Sequence, residues 1–310
     1  MGGLVSVIIP TYQRPDKLGR ALDSINAQTY RNIEIIVVDD NNPENSYRKE
    51  TELFMRQYVS SLPLKYVRMS ANSGGAMARN SGIKEASGTY IAFLDDDDEY
   101  LPEKIEKQVA KFEQSPSEKT GMVYCQINFM DSGGRFRKMR APMHASGNKI
   151  ALEKHLVRNL APTSGLMIKK EVLEDVGGFR DLPTGHEYEL IMRILAAGYD
   201  VDYNEEPLVN MYYHTGKRIT TSSRKIMGEK ILFHLKKKMF PPDRYPLKKK
   251  VAYAHYMDLC RRYYFQKNTR AARLCFRKAC RLDALKIKTV MGYLGILLNS
   301  LKRRSFFEKK

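Results

Sequence analysis

A chain of 310 residues, 43% hydrophobic and 28% charged, has an ordinary globular composition, with room for one large domain plus an appendage or two modest domains. The longest nearly apolar run, residues 290–298, is far short of the ~20 residues a membrane-spanning helix needs, and the start at 4–10 is too short for a signal peptide. The net charge of +18 is uneven: residues 1–215 hold 26 Lys and Arg against 30 Asp and Glu, whereas 216–310 hold 27 against 5.

Residues 5–10 are a β-branched run closed by a proline, the pattern of a buried parallel strand. Over 16–28, Leu18, Ala21, Leu22 and Ile25 fall on one helical face. A second buried strand, 33–38, ends in Asp39-Asp40-Asn41-Asn42. A helix over 50–59 and a short strand over 64–68 follow, and then the glycine-rich segment from Asn72 to Asn80 opens another helix. The strand 90–94 runs straight into Asp95, Asp96, Asp97, Asp98 and Glu99. Strands alternating with helices predict an α/β fold with a mostly parallel sheet flanked by helices. Beyond it the pattern predicts a helix over 102–114, a strand over 121–129, a hairpin turn at 131–134 and a short strand over 164–168. A helix over 188–197 and two late strands, 199–203 and 207–214, complete this part. Residues 228–310 read as helical throughout, with an apolar stripe from Ile287 to Leu301 followed by Lys302, Arg303 and Arg304.

Five acidic groups in a row repel one another, and charge runs on their own read as solvated surface, here a loop capping the next helix. At the carboxyl end of a strand in a parallel sheet, where ligands collect, the same run suits a hard divalent cation, Mg²⁺ or Mn²⁺. Three strands end in candidate site residues: Pro10, Thr11 and Tyr12; Asp39 and Asp40; and the aspartates. A nucleotide with a metal-bound diphosphate is the simplest ligand that uses all three. There is no GxGxxG after the first strand and no GxxxxGK[ST], so neither a dinucleotide fold nor a P-loop ATPase is indicated. Four cysteines without CxxC spacing read as reduced thiols in a cytosolic setting.

Taken together, Val5-Ser-Val-Ile-Ile-Pro-Thr-Tyr12, Val37-Val-Asp-Asp40, Ala78-Arg79-Asn80-Ser-Gly-Ile83, Gly88-Thr-Tyr-Ile-Ala-Phe-Leu-Asp-Asp-Asp-Asp98, Gly177-Gly-Phe179 and Gly185-His-Glu-Tyr-Glu-Leu190 resemble the family 2 inverting glycosyltransferases of the GT-A fold. The resemblance covers about residues 4–225 and implies a cytoplasmic enzyme that builds glycans or polysaccharides. It implies a catalytic domain over 1–215, with a donor half (1–100) and an acceptor half (101–215), followed by a basic helical region over 216–310. It also implies roles: Pro10, Thr11, Tyr12 and Asp40 around the base of a UDP-sugar, Arg79 at the base or diphosphate, and Asp97 as ligand to Mn²⁺ or Mg²⁺. Asp95 and Asp96 support that ligand on the ribose side, and Asp98 begins the following helix. The family's catalytic Asp is replaced here by Glu187, read as the base, with Asp181 next in line. His186, His214 and Arg218 are candidate acceptor or diphosphate contacts.

The basic tail has three readings: helices packed with solvated charges, an interfacial surface on anionic lipid, or a nucleic-acid-binding surface. The catalytic resemblance favours the second, a peripheral enzyme on the inner face of the membrane that meets a glycan or lipid-linked acceptor. Packing in a homo-oligomer is compatible with it, and no nucleic-acid partner is expected. The competing functions are a sugar nucleotidyltransferase, for which Thr11-Tyr-Gln-Arg14 is not the glycine-rich loop required, and a nucleic-acid-binding protein using the tail.

Overall fold

The structure is a computed structural model that describes residues 2–140, 143–213, 223–240 and 245–283. The chain divides into two compact units, Met1–Arg218 and Ile219–Lys310.

The first unit is built on a nine-stranded sheet. Strands β1 (Val5–Thr11), β2 (Ile33–Asp39), β3 (Leu64–Arg68) and β4 (Tyr90–Phe93) pair in parallel in the order β3-β2-β1-β4. Helices α1 (Pro15–Asn26), α2 (Ser46–Gln57) and α3 (Gly75–Glu85) connect them. The chain moves outward from β1 to β3 and then returns to the other side of β1. Strand order therefore reverses between β1 and β4, and such switch points open a crevice at the strands' carboxyl ends.

Beyond β4 come the two-residue β5 (Glu99–Tyr100), α4 (Lys104–Glu113), β6 (Thr120–Met130) and its hairpin partner β7 (Phe136–Met139). Then follow α5 (Lys149–Val157), β8 (Leu166–Lys169), α6 (Lys170–Val176), α7 (His186–Ala196) and β9 (Asp200–Tyr212). Strand β8 runs antiparallel between β4 and β6, and β9 lies parallel to β6. The two late strands expected from the sequence are this single strand. Cys125 pairs with Asn204 and Gln126 with Pro207, so Glu205 and Glu206 form a bulge rather than a break.

Both faces of the sheet are covered, which is why β1 is buried along its whole length. Alternation sends Ile8, Ile36, Ile91 and Phe93 to one face, with Ala78 of α3, Val172 of α6 and Leu190 and Ile194 of α7. Val7, Ile9, Ile35, Val37 and Ala92 go to the other, against Leu18, Leu22 and Ile25 of α1 and Ile105 and Val109 of α4.

In the second unit, α8 (Ser223–Lys238), α9 (Tyr245–Phe265) and α10 (Thr269–Leu282) share a small core of Ile226, Leu259, Cys260, Ala272 and Cys275. His255 stacks on Phe233 with ring centroids 3.8 Å apart and meets Glu229 at 2.9 Å. The apolar stripe from Ile287 to Leu301 lies outside the described residues. Among the described residues no helix is long and apolar enough to cross a membrane.

Candidate active site

The acid run is a tight turn that closes with the Asp98 amide donating to the Asp95 carbonyl at 2.9 Å. The turn sorts the four carboxylates. Asp95 and Asp97 keep 31% and 16% of their side chains exposed, whereas Asp96 and Asp98 are buried. Asp98 does not begin the next helix, which starts at Lys104; its carboxylate points inward and accepts the Ser164 hydroxyl at 2.8 Å. Burial pushes the Asp98 carboxyl well above the usual range, the charges of Asp95 and Asp97 push it further, and the Ser164 hydroxyl and Tyr212 amide oppose them.

Two arginines neutralise the remaining three. Arg79, at the start of the second turn of α3, reaches Asp95 at 2.5 Å. Arg14, just after β1, spans Asp96 at 2.6 Å and Asp97 through its other terminal nitrogen. Burial raises the Asp96 carboxyl to about 7, chiefly against the opposing pull of Arg14, with the Thr11 hydroxyl also favouring the charged form. Arg20 donates to the Asp97 carbonyl at 2.7 Å and lies 3.6 Å over the Tyr212 ring.

The ends of β1 and β2 lie side by side, with the Asp40 amide bonded to the Thr11 carbonyl at 2.9 Å. Thr11 is buried and Tyr12 is 39% exposed at the mouth. The two aspartates after β2 divide their work. Asp39 is fully occupied by Tyr66, Asn41 and Arg48. Asp40 holds the loop before α3, accepting from the Ser73 and Gly74 amides at 2.8 Å and from Asn72 at 2.9 Å. Burial raises its pKa and those two amides oppose the rise.

Phe179 ties α3 to the second half of the sheet. Its amide donates to Asn80 Oδ1 and its carbonyl accepts from Asn80 Nδ2, both at 2.8 Å. Its ring meets Phe93 edge-on at 5.2 Å and lies 5.7 Å from the Arg79 guanidinium. The preceding Gly178 has φ of 63°, and a Cβ there would meet Asn80 Oδ1 at 2.6 Å. The Gly-Gly-Phe motif is thus a close-approach device.

At the start of α7, the Glu187 carboxylate accepts the Asn159 amide at 3.0 Å. Arg140 donates to the Asn159 carbonyl at 2.6 Å; burial lowers its pKa to about 10, Arg158 adds to that, and the Glu187 charge opposes it. The neighbouring Glu189 is buried and gripped by Arg193 and Arg180, so it serves the fold. His186 turns its ring to the Leu182 carbonyl at 2.7 Å, and Asp181 is exposed. His214 and Arg218 lie outside the described residues.

The model of the family described as Glycosyl transferase family 2 matches residues 6–177, more than half of the chain. The chain belongs to glycosyl transferase family 2. It is 29% identical over 276 residues to an uncharacterized glycosyltransferase of Haemophilus influenzae, covering 84% of this chain and 89% of that one. It is 27% identical over 234 residues to the amylovoran biosynthesis glycosyltransferase AmsB of Erwinia amylovora, covering 74% and 75%. Among solved structures it resembles S. aureus TarS 1-349 in complex with UDP-GlcNAc, with TM-score 0.60, 16% identity and 90% and 89% coverage. It also resembles the mannosyltransferase PcManGT from Pyrobaculum calidifontis in complex with GDP-Man and Mn²⁺, with TM-score 0.61, 18% identity and 99% and 83% coverage. The fold is therefore GT-A, and the family 2 chain is a transferase.

Several residues that build this family 2 site carry little sequence signal. Arg14 and Arg20 precede and follow the start of α1, and nothing in their spacing links them to an acid run some eighty residues later. Arg140 and Asn159 sit in irregular chain before and after α5. Arg14 alone had a cue, as a cation at the carboxyl end of a buried strand. Among the described residues no group of three or more His, Cys, Asp or Glu converges as a closed metal cage. An open site fits better: Mg²⁺-type cations typically bind through one or two carboxylates plus substrate phosphates. Asp97 and Asp95 are partly exposed carboxylates, the donor type that such an open site uses.

Proposed function

We propose that the chain is an inverting, metal-dependent glycosyltransferase that moves a sugar from a nucleotide-sugar donor, a UDP-sugar, to a glycan or lipid-linked acceptor. The observation that carries this reading is the meeting of Thr11, Asp40 and residues 95–97 at the switch point between β1 and β4. Support comes from the structural neighbours, which hold UDP-GlcNAc in one case and GDP-Man with Mn²⁺ in the other.

Tyr12 offers an exposed ring to the nucleotide base, beside Pro10 and Thr11, and Asp40 fixes the 72–74 loop that faces it. Arg79 offers a guanidinium, whose planar fork matches phosphate oxygens. Asp97, with Asp95 and Asp96 beside it, is the group to hold Mn²⁺ or Mg²⁺, which when bound neutralises charge developing on the leaving diphosphate. Glu187 accepts the acceptor hydroxyl's proton as that oxygen bonds the anomeric carbon. The bond from that carbon to the diphosphate oxygen breaks on the opposite face, and its electron pair leaves with the nucleoside diphosphate.

The basic helices supply the cellular context. On α10, Arg270, Arg273 and Arg277 flank the exposed Leu274, a combination suited to an anionic lipid surface, where each basic residue contributes about 1 kcal/mol. The sugar nucleotidyltransferase and nucleic-acid readings gain no support from the family assignment.

The deciding experiment is a donor-hydrolysis and transfer screen of the purified chain over UDP- and GDP-sugars with Mn²⁺ or Mg²⁺. Turnover of a UDP-sugar supports the reading. Turnover of GDP-sugars alone changes the donor, and no turnover of any donor removes the reading.

A further inference from the structure

Around Tyr12-Gln13-Arg14 and the Asp96 that it faces, several local choices oppose stability. Gln13 is a non-glycine residue at φ of 56°, a left-handed conformation that disfavours any residue but glycine. Its conformation is held from outside, the Gln13 amide donating to Asn41 Oδ1 at 3.0 Å and its side chain to the Tyr12 hydroxyl at 3.0 Å. Arg14 then occupies the N-cap of α1 with no side-chain cap bond, where Ser, Thr, Asp or Asn is preferred. An arginine there also sets a positive charge at the positive end of the helix dipole. Finally, Asp96 is a fully buried carboxylate, a costly group to hold without a compensating cation.

One arrangement accounts for all of them. The left-handed turn at Gln13 aims Arg14 across the acid run, and its guanidinium meets Asp96 with one terminal nitrogen and Asp97 with the other. Arg14 thereby stands on the carboxylate that the proposed function gives to the divalent cation. Its side chain is nevertheless 43% exposed, so it can swing away without unpacking the core. A guanidinium released there keeps a suitable partner, because its fork matches a diphosphate as well as it matches two carboxylates.

The geometry points to Arg14 as an internal counter-ion that competes with the divalent cation for Asp97 and passes to the donor's diphosphate when the cation arrives. The inference rests on the proposed role of Asp97. Cation binding without nucleotide is opposed by Arg14, whereas with a nucleoside diphosphate present the released guanidinium gains an anionic partner and the divalent cation replaces its charge beside Asp96 and Asp97. Metal and donor therefore bind cooperatively, and the coupling is reciprocal.

The test is direct titration of Mn²⁺, by calorimetry and by the electron paramagnetic resonance signal of free Mn²⁺, into the full chain with and without UDP. Wild type, Arg14→Gln, Arg14→Lys and Asp97→Asn are compared, each checked for folding by circular dichroism. Without UDP, Arg14→Gln binds Mn²⁺ about tenfold more tightly than wild type, and UDP then tightens Mn²⁺ less than it does in wild type. Arg14→Lys, a point charge that cannot span two carboxylates, falls between and covers the case in which the Gln variant does not fold. Equal or weaker Mn²⁺ binding in the folded Arg14 variants, with binding still lost in Asp97→Asn, overturns the competition and leaves the metal site standing. Unchanged Mn²⁺ binding in Asp97→Asn overturns both.

Discussion

Arg79 Nη2 lies 2.5 Å from Asp95 Oδ1, joining the N-terminal half of α3 to the carboxyl end of β4. The pair locks the glycine-rich loop that Asp40 holds to the first carboxylate of the acid run, so the residues proposed for the base and those proposed for the diphosphate are mechanically joined. Arg79→Met removes this link. We expect a loss of about 1–3 kcal/mol in stability and a rise in donor KM on the order of tenfold, measured by urea unfolding and steady-state kinetics. A KM unchanged from wild type would place Arg79 outside the donor pocket.

Glu187→Gln keeps the shape of the side chain and removes its ability to take a proton. Turnover should fall on the order of 10²–10⁴-fold with donor Kd unchanged. Asn159→Ala, which frees the Glu187 carboxylate from its 3.0 Å bond, should reduce kcat less than Glu187→Gln does. Near-normal turnover in Glu187→Gln would move the base to Asp181.

Asp97→Ala should abolish metal-stimulated turnover. In wild type, EDTA should do the same, and added Mn²⁺ or Mg²⁺ should restore the rate. A rate indifferent to EDTA and to added metal contradicts the metal-dependent reading.

Lys104 is fully buried over the Tyr100 ring at 3.9 Å, and burial lowers its pKa to about 7 from 10.5. Above pH 7 the folded chain holds this lysine neutral while the unfolded chain still protonates it. The unfolded state therefore binds more protons, and stability rises with pH from about 7 towards 10.5. Cys125, raised to about 11, acts in the opposite direction only above its ordinary value of 9. Lys236, lowered by burial, adds to the climb and the raised carboxyls of Asp96 and Asp98 oppose it, so over pH 7–9 the lysine's share is the difference between wild type and Lys104→Met. Unfolding free energy should climb across that window, and Lys104→Met should flatten the climb and stabilise the protein at pH 7. A wild-type profile as flat as the mutant's would show that Lys104 remains charged.

Gly178→Ala places a methyl 2.6 Å from Asn80 Oδ1 at a backbone φ of 63°. A loss of about 1–3 kcal/mol is expected, with donor binding weakened because Phe179 and Arg79 move together. Full retention of both properties would mean that the loop repacks freely.

The alternation of buried runs with amphipathic helices was enough to read the parallel half of the sheet, because residues 5–10, 33–38 and 90–94 are apolar on both faces and can only be interior strands. The position of the acid run and of Asp40 at strand ends was legible for the same reason. Boundaries depended on groups distant in sequence or weak in pattern. Asn45 caps α2 earlier than its apolar spacing suggests, β5 exists only because Glu99 and Tyr100 pair with β9, and the exposed β7 follows its hairpin partner.

What the chain determined by itself was a family 2 transferase with carboxylates at the sheet's switch point, because composition, strand order and short motifs are local properties. What only the tertiary structure decided was the division of labour among identical residues. Asp39 and Asp40 look alike in sequence, yet one is consumed by Arg48, Tyr66 and Asn41 and the other by the 72–74 loop. Asp95, Asp96, Asp97 and Asp98 look alike too, and they differ because a turn points two outward and two inward, towards Arg79, Arg14 and Ser164. A carboxylate's role is set by the charge and solvent around it, and those come from residues that are neighbours only after folding.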